Sequence, residues 1–296
     1  MIFKAKQLIR NIFILFKMIF IPKSEPFAGI KTAWRHLTTG KFYPNKEYYD
    51  FTREIQVTEN NNFKFANYNN VKIAYPKAET NQRIKLMLNA ILNEQSEDSR
   101  YESPHGYLKE YNLDKEDTVY DLGAAEGYQS KSWIGQVKSI VIFEPAFELF
   151  NTLKETFKEE LIEDKVILIN EGISDKKSTL TYRGEIFQLD SLDSMIKRHN
   201  LPEPTYIKVD IEGEEMPFLK GAKETLSKKN IKLLEITTYH HPKDYIEIPK
   251  FLSQYKGNGK FTKGVVAFNR KGYKYPGLIA PFSPVFRKSI FSYYFN

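Results

Sequence analysis

The sequence predicts an α/β protein: a mostly parallel sheet with helices on both faces, preceded by an N-terminal cap region. Three observations carry that reading. From residue 117 onward, short apolar runs alternate with segments of helical period, the pattern of βαβ units. The first run, Val119–Leu122, passes through Asp121 into a turn holding Gly123 and Gly127, a strand, tight turn and helix start. Later runs end in acidic or histidine residues. Open α/β sheets bind ligands outside the carboxyl ends of their strands.

The elements follow in order. Residues 1–22 hold Leu8-Ile9, Ile12 to Phe16 and Met18 to Ile21, interrupted by Arg10, Asn11 and Lys17. A spanning helix needs about 20 mostly apolar residues. This broken stretch reads instead as a basic, aromatic-rich amphipathic helix for a membrane surface. Residues 23–112 form the cap region. Gln56-Val57, Phe63–Phe65 and Val71–Tyr75 are expected strands divided by Asn-rich turns at 59–62 and 67–70, and Arg83–Leu92 is an expected helix. The main domain spans 113–272. Its expected strands are Val119–Leu122, Ser139–Phe143, Val166–Asn170, Tyr206–Asp210, Ile231–Thr237 and a last one at Val265–Phe268. Its expected helices are Tyr128–Val137, Phe147–Leu161, Leu189–His199 with Asp190 as N-cap, Glu215–Leu226 and Lys243–Tyr255. A strand-like insert, Ser178–Tyr182, follows the turn at Glu171–Ser174. Residues 273–296 read as an aromatic, basic tail.

Composition narrows the class. The chain has 296 residues, 41% of them hydrophobic and 27% charged, as in a globular protein with a sizeable core. It has no cysteine, which excludes disulfides, thiolate catalysis and cysteine metal sites. The net charge of +7 is uneven. Residues 1–40 carry seven basic residues against Glu25, and residues 250–296 carry nine with no acid. The stretch between is acidic. Basic ends favour anionic surfaces: membrane, phosphorylated lipid or nucleic acid.

The strand ends supply the candidate chemistry. The turn at Asp121, Gly123, Ala124 and Gly127 lets a ligand approach bare backbone. Its spacing is neither G-x-G-x-x-G nor a P-loop, since Tyr128-Gln129 follows Gly127. Glu144 ends the second strand about 20 residues beyond the turn, where nucleotide-binding sheets place an acid on ribose hydroxyls; it also suits a helix N-terminus. Asp210 ends the fourth strand. Glu212, Glu214 and Glu215 follow; Glu214 and Glu215 read as helix N-terminal charge, which leaves Asp210 unexplained, and two carboxylates here have the chemistry to hold a divalent metal or to orient a hydroxyl. Two of the chain's five histidines, His240 and His241, end the fifth strand. Imidazole suits a general base near neutral pH, and adjacent residues point different ways, so one of the pair would serve.

Together these motifs resemble a known family. Asp121-x-Gly-x-x-x-Gly127 resembles the first motif of S-adenosylmethionine (SAM) dependent methyltransferases. Tyr101-Glu102, the Gly123 turn, Phe143-Glu144-Pro145, Ile173-Ser174-Asp175, Leu189-Asp190-Ser191-Leu192, Lys208-Val209-Asp210-Ile211-Glu212-Gly213-x-Glu215 and Leu219-x-Gly221-Ala222 stand in the order of the FkbM family. The match covers roughly residues 101–240, and the Lys-x-Asp-x-Glu-Gly-x-Glu segment is its most diagnostic part. It departs from the family at Ala125, where Asn is usual, and at Glu126, where an apolar residue is usual.

The resemblance implies a class I methyltransferase (Rossmann-like) sheet and SAM as cofactor. The Gly123 turn would hold the methionine end, Glu144 the ribose, and the turn containing Gly172 and Ile173 the adenine. It implies methyl transfer to a hydroxyl, in this chain of a sugar in a cell-envelope glycan or glycolipid. His240 is the first candidate base and Asp210, which also borders the cofactor, the second. No residue is assigned to a metal and no nucleic-acid partner is expected. A cytoplasmic protein on the inner membrane face, held there by residues 1–22, completes the expectation. Two other readings stay open: a nitrogen methyltransferase for protein or nucleic acid, and a non-catalytic module that binds a glycan or membrane. Nitrogen enzymes commonly carry Asn/Asp-Pro-Pro-Tyr where this chain has Asp210-Ile211-Glu212-Gly213.

Overall fold

The computed structural model describes residues 42–43, 49–95, 103–182, 184–269 and 284–296. The expected membrane-surface helix at 1–22 and the Tyr101-Glu102 motif lie outside these residues. In chain order the elements are β1 (Phe42–Tyr43), β2 (Gln56–Glu59), β3 (Phe63–Tyr68), β4 (Val71–Pro76), α1 (Asn81–Glu94), β5 (Thr118–Leu122), α2 (Tyr128–Trp133), β6 (Ser139–Phe143), α3 (Phe147–Thr156) and α4 (Lys158–Ile162). They continue with β7 (Val166–Ile169), β8 (Gly172–Ser174), β9 (Ser178–Tyr182), β10 (Glu185–Ser191), α5 (Leu192–His199), β11 (Tyr206–Val209), α6 (Glu215–Gly221) and α7 (Lys223–Leu226). The last are β12 (Leu233–Thr237), α8 (Asp244–Leu252), β13 (Gly257–Phe261), β14 (Val265–Asn269), β15 (Pro284–Arg287) and β16 (Ile290–Phe295).

Seven strands make the central sheet in the order β13-β16-β12-β11-β5-β6-β7. All its pairings from β7 through β12 are parallel, and β16 runs antiparallel to both β12 and β13. Strands β5, β6, β11 and β12 are buried along their whole length. A strand buried on both faces needs an apolar side chain at nearly every position, which is why these four read as mostly apolar runs, with Asp121, Lys208 and Glu235 as the charged exceptions. Alternate residues then feed two cores. Tyr120, Leu122, Val141, Ile207 and Ile236 meet α5, α6 and α8 on one face. Val119, Ile140, Ile142, Tyr206 and Leu233 meet Trp133, Leu153 and Phe157 on the other.

The cap residues build a smaller unit. β2, β3 and β4 form an antiparallel sheet, and Ile84, Leu88 and Leu92 of α1 pack with Ile73 and Tyr75 in a separate core. Thr80 caps α1, its hydroxyl accepting from Arg83 N at 3.2 Å. The unit is tied to the main sheet's helices through Ala74 N, which donates to Thr156 Oγ1 at 2.9 Å.

Several expectations change. The tail is not separate: Ile290–Phe295 is a strand inside the central sheet, with Ile290, Phe291 and Tyr293 buried. The last expected strand, at 265–268, instead joins a side sheet with β1 and β15, and the central edge is the unforeseen β13. The helix expected at 147–161 breaks at Phe157, whose φ of −106° leaves the helical range so that its ring is fully buried. That expected at 215–226 breaks after Gly221, where a Cβ would stand 2.3 Å from Ser174 O. Asp190 lies within β10, and Ser191, its last residue, is the N-cap, accepting from Ser194 N at 3.3 Å. Among the described residues no helix is long and apolar enough to cross a membrane.

Truncation after residue 289 tests the placement of β16. Each fully buried apolar side chain contributes about 1.5–3 kcal/mol, so losing three of them approaches the whole ~5–15 kcal/mol stability of a domain. Thermal denaturation of the truncated protein is expected to show no cooperative transition. A tail lying outside the sheet would leave the melting temperature almost unchanged.

Candidate active site

The site is built around the turn after β5. Gly123 and Gly127 have φ of +82° and +79°, a region open to glycine. A Cβ on Gly123 would lie 2.0 Å from the Asp210 carbonyl oxygen, and one on Gly127 would lie 2.5 Å from Leu153 Cδ2. The glycines therefore let the turn settle between β11 and α3. Ala125 also has positive φ, +49°. The family's usual Asn tolerates that conformation better than alanine, so this departure adds backbone strain without altering the turn.

Asp121 lies beneath the turn and is fully buried. Ser130 Oγ donates to its Oδ2 at 2.7 Å, and Lys208 Nζ stands 2.8 Å from its Oδ1. Lys208 Nζ also donates to Gly123 O at 2.6 Å. The Asp121 carboxylate, expected at the cofactor, faces Lys208 and Ser130 in this structure and braces the turn from below. Ala124 is buried against the second core, so only its backbone can face a ligand.

Glu144 bounds the groove beyond β6. Its Oε2 accepts from Ala125 N at 3.1 Å and its Oε1 from Ala146 N at 3.0 Å. Burial pushes its carboxyl up to about 7, against the pull of those two N–H groups. One carboxylate thus ties the turn to the start of α3. The segment expected as an adenine-flanking turn is strand β8. Ile173 is packed into the first core, and a Cβ on Gly172 would meet Leu189 Cδ2 at 2.5 Å. Neither offers a side chain to a ligand.

Asp210 collects the polar groups at the end of β11. Tyr107 OH donates to Oδ2 at 3.1 Å, and Tyr239 OH donates to both oxygens at 3.2 and 3.3 Å. His105 Nε2 lies 3.3 Å from Oδ2 and 3.0 Å from Tyr239 OH. His240 Nε2 lies 3.7 Å from Oδ1, while its Nδ1 is 2.8 Å from Glu215 Oε1. Burial disfavours the Asp210 carboxylate, but the His105 hydrogen bond and the charges of His105, His240 and Lys208 hold its pKa well below the usual range. Burial also opposes charge on His240, yet Glu215 and Asp210 bring its pKa up to about 9. His105 shifts upward against burial for the same reason, through Asp210 and Glu94.

Asp210 and His240 thus come together at one strand end, and their pairing favours the charged imidazole, which donates hydrogen bonds rather than accepting a proton. His241 turns away, with Nε2 3.0 Å from Gly213 O. Asp210, Glu215 and His240 also form the one His/Cys/Asp/Glu group among the described residues that could hold a metal ion. Their contacts as they stand are those of a hydrogen-bonded ionic cluster.

Four members were missed in the sequence. His105 and Tyr107 are brought in by a segment pinned through Leu108 N, which donates to the buried Glu235 Oε2 at 2.8 Å. Tyr239 adjoins the histidine pair, whose backbone is held by Arg287 Nη1 donating to Tyr239 O and His240 O at 2.6 and 2.8 Å. Glu215 reads as a helix-end charge but is fully buried, accepting from Ile211 N and Thr237 Oγ1.

The strand order, the lone antiparallel strand β16 and a ligand-open turn at the carboxyl end of β5 define a class I methyltransferase fold. A family model for the methyltransferase FkbM domain matches residues 121–275, just over half of the chain. The chain belongs to this family and is a methyltransferase. It is similar to the hexuronic acid methyltransferase AglP of Haloferax volcanii, at 26% identity over 51% of this chain and 67% of that protein. It is also similar to the crystal structure of methyltransferase FkbM from Methylobacillus flagellatus KT, with a TM-score of 0.49, 18% identity and coverage of 64% of this chain and 46% of that one. The SMU.1697c protein of Streptococcus mutans, solved in complex with SAH, matches with a TM-score of 0.38 and 13% identity, covering 62% of this chain and 91% of that chain. The chain thus spans less than half of the Methylobacillus protein.

Lys208→Met tests the brace beneath the turn. It leaves the fully buried Asp121 without its counter-charge, and breaking a buried pair in this way costs about 3–5 kcal/mol. Denaturant unfolding is expected to show a loss of that size. A loss under about 1 kcal/mol, the scale of exposed pairs, would mean that Asp121 does not depend on Lys208.

Proposed function

We propose that this chain transfers the methyl group of SAM to a hydroxyl oxygen of a sugar, in a cell-envelope glycan or glycolipid. The observation that carries this reading is the position of Asp210. Its backbone carbonyl packs against Gly123 of the turn, and its carboxylate collects two tyrosines and two histidines at the strand end. The residues present fit SAM. The turn offers backbone between its two glycines, and each Glu144 oxygen, having one N–H partner, keeps a lone pair for a ribose hydroxyl.

When bound, SAM supplies a methyl group activated on a sulfonium sulfur. The protein's task is then alignment, which can account for about 7–11 kcal/mol of a barrier. An O–C bond forms as the S–C bond breaks, and the acceptor hydroxyl must lose its proton. Asp210 is the group to receive it. A weakly basic carboxylate suffices, because a hydroxyl being alkylated becomes an oxonium, far more acidic than any carboxylic acid. His105, His240 and Lys208 keep that carboxylate ionised, and the two tyrosines orient it. The hexuronic acid methyltransferase relative supports a sugar acceptor. Asp210-Ile211-Glu212-Gly213, in place of the Asn/Asp-Pro-Pro-Tyr of nitrogen enzymes, supports oxygen over nitrogen.

Two outcomes follow for solution measurements. Asp210→Asn keeps the side chain's shape but removes the proton acceptor. It is expected to lower kcat by about 10²–10⁴, with SAM affinity by calorimetry within twofold of the parent. Unchanged kcat would assign the proton elsewhere. The second concerns Glu144, with its pKa of about 7. Ribose hydroxyls donate to the ionised form, so SAM affinity is expected to rise with pH through that value. The gain between pH 6 and 8 is about tenfold for one group and is absent in Glu144→Gln. A flat profile in the parent would remove Glu144 from the cofactor contacts.

A further inference from the structure

Glu126 stands inside the glycine turn, where the family usually has an apolar residue. It is half-buried, between the positive-φ residues Ala125 and Gly127. Among the described residues its carboxylate accepts only from its own backbone N–H and pairs with no cation. Burial pushes its carboxyl pKa up, and the charge of Glu94 pushes the same way.

The surroundings of Glu126 place it on the reacting side of the turn. Tyr75 of β4 and Glu94 in the last turn of α1 both lie within reach of its charge, so it faces the cap unit. Tyr128, two residues on, packs against the cap core. The end of α1 is pinned beside the Asp210 cluster. Gln95 Nε2 donates to His105 O at 3.3 Å, and Tyr107 N donates to Gln95 Oε1 at 3.2 Å. Glu94 Oε2 lies 3.9 Å from His105 Nδ1, and Asp210 Oδ2 lies 3.3 Å from Nε2 of the same ring. His105 thus offsets Glu94 and Asp210, while Glu126 has no such neighbour. The carbonyl end of α1 adds partial negative charge. Tyr75 is fully buried, and its hydroxyl has no hydrogen-bond partner among the described residues. Buried polar groups are normally satisfied, so this corner has polar demand unmet and negative charge in excess.

A cation with N–H donors answers both, because hydrogen bonds between charged groups are the strong ones. The methionine end of SAM carries an α-ammonium beside an α-carboxylate. Carboxylates on this side attract the first and repel the second. We propose that Glu126 binds the α-ammonium of the cofactor and so fixes which way the methionine end lies on the turn. The inference rests on the SAM reading and adds to it a binding residue that an apolar side chain at this position cannot replace.

Calorimetry on the full chain tests it. The probes are S-adenosylhomocysteine, its deaminated analogue, which lacks only the α-ammonium, and methylthioadenosine, which lacks the whole amino-acid end. The parent is expected to bind S-adenosylhomocysteine about tenfold or more tighter than the deaminated analogue. Glu126→Gln keeps the shape and removes the charge, and Glu126→Leu restores the family's apolar type. Each is expected to weaken S-adenosylhomocysteine by about ten- to hundredfold, the worth of a hydrogen bond to a charged group. Each is expected to leave methylthioadenosine affinity within twofold and to abolish the preference over the deaminated analogue. The proposal is overturned if the parent binds S-adenosylhomocysteine and the deaminated analogue alike, or if both variants bind S-adenosylhomocysteine like the parent. It is overturned too if the variants lose methylthioadenosine in parallel, since Glu126 would then be a prop of the turn. Failure of the parent to bind either S-adenosylhomocysteine or methylthioadenosine would sink the SAM reading, a result read before any variant is made.

Discussion

The site depends on one buried lysine. Strand register sets Lys208 of β11 directly beside Asp121 of β5, so the ion pair is a consequence of the order of the central sheet. From there Lys208 Nζ reaches the Gly123 carbonyl and fixes the first residue of the turn. Its charge also favours the ionised forms of Asp210 and Glu144. Burying a charge pair gives little net stability compared with an apolar pair. What it supplies here is definition: a turn held in one place.

Around that lysine the charges alternate. Asp210 stands between Lys208 and the two histidines, and His240 stands between Asp210 and Glu215. Each group is buried enough that its charge would be costly alone, and each is offset by a neighbour. The arrangement favours the charged form of His240, a histidine at a strand end. Two carboxylates within reach outweigh the burial that would neutralise it.

The central fold was legible because strands buried on both faces leave mostly apolar runs, and Val119–Leu122, Ser139–Phe143 and Tyr206–Val209 are such runs, broken only by Asp121, Ser139 and Lys208. Strand β16 was hidden because its sequence, IFSYYF, is also what an aromatic tail looks like; nothing local shows that it will pair between β12 and β13. Strand β13, with two glycines and a lysine, lies at the edge and is mostly exposed, so it carries no apolar signal. Asp210 could be read from its place at a strand end. His105 and Tyr107 could not, because a contact 103 residues away, between Tyr107 and Asp210, has no periodicity to announce it. The direction of Asp121 was hidden for a related reason: sequence shows that an acid precedes a glycine turn, but not that its carboxylate meets Lys208 and Ser130.

The central claim is that the glycine turn and the Asp210 cluster form one reaction site. The most direct measurement is a crystal structure of the protein with S-adenosylhomocysteine bound. The account predicts the ribose hydroxyls within hydrogen-bond range of Glu144, about 2.6–3.2 Å, with the thioether sulfur directed toward the Asp210 carboxylate. A ligand bound away from the Gly123 turn, or one whose sulfur faces away from Asp210, would contradict it.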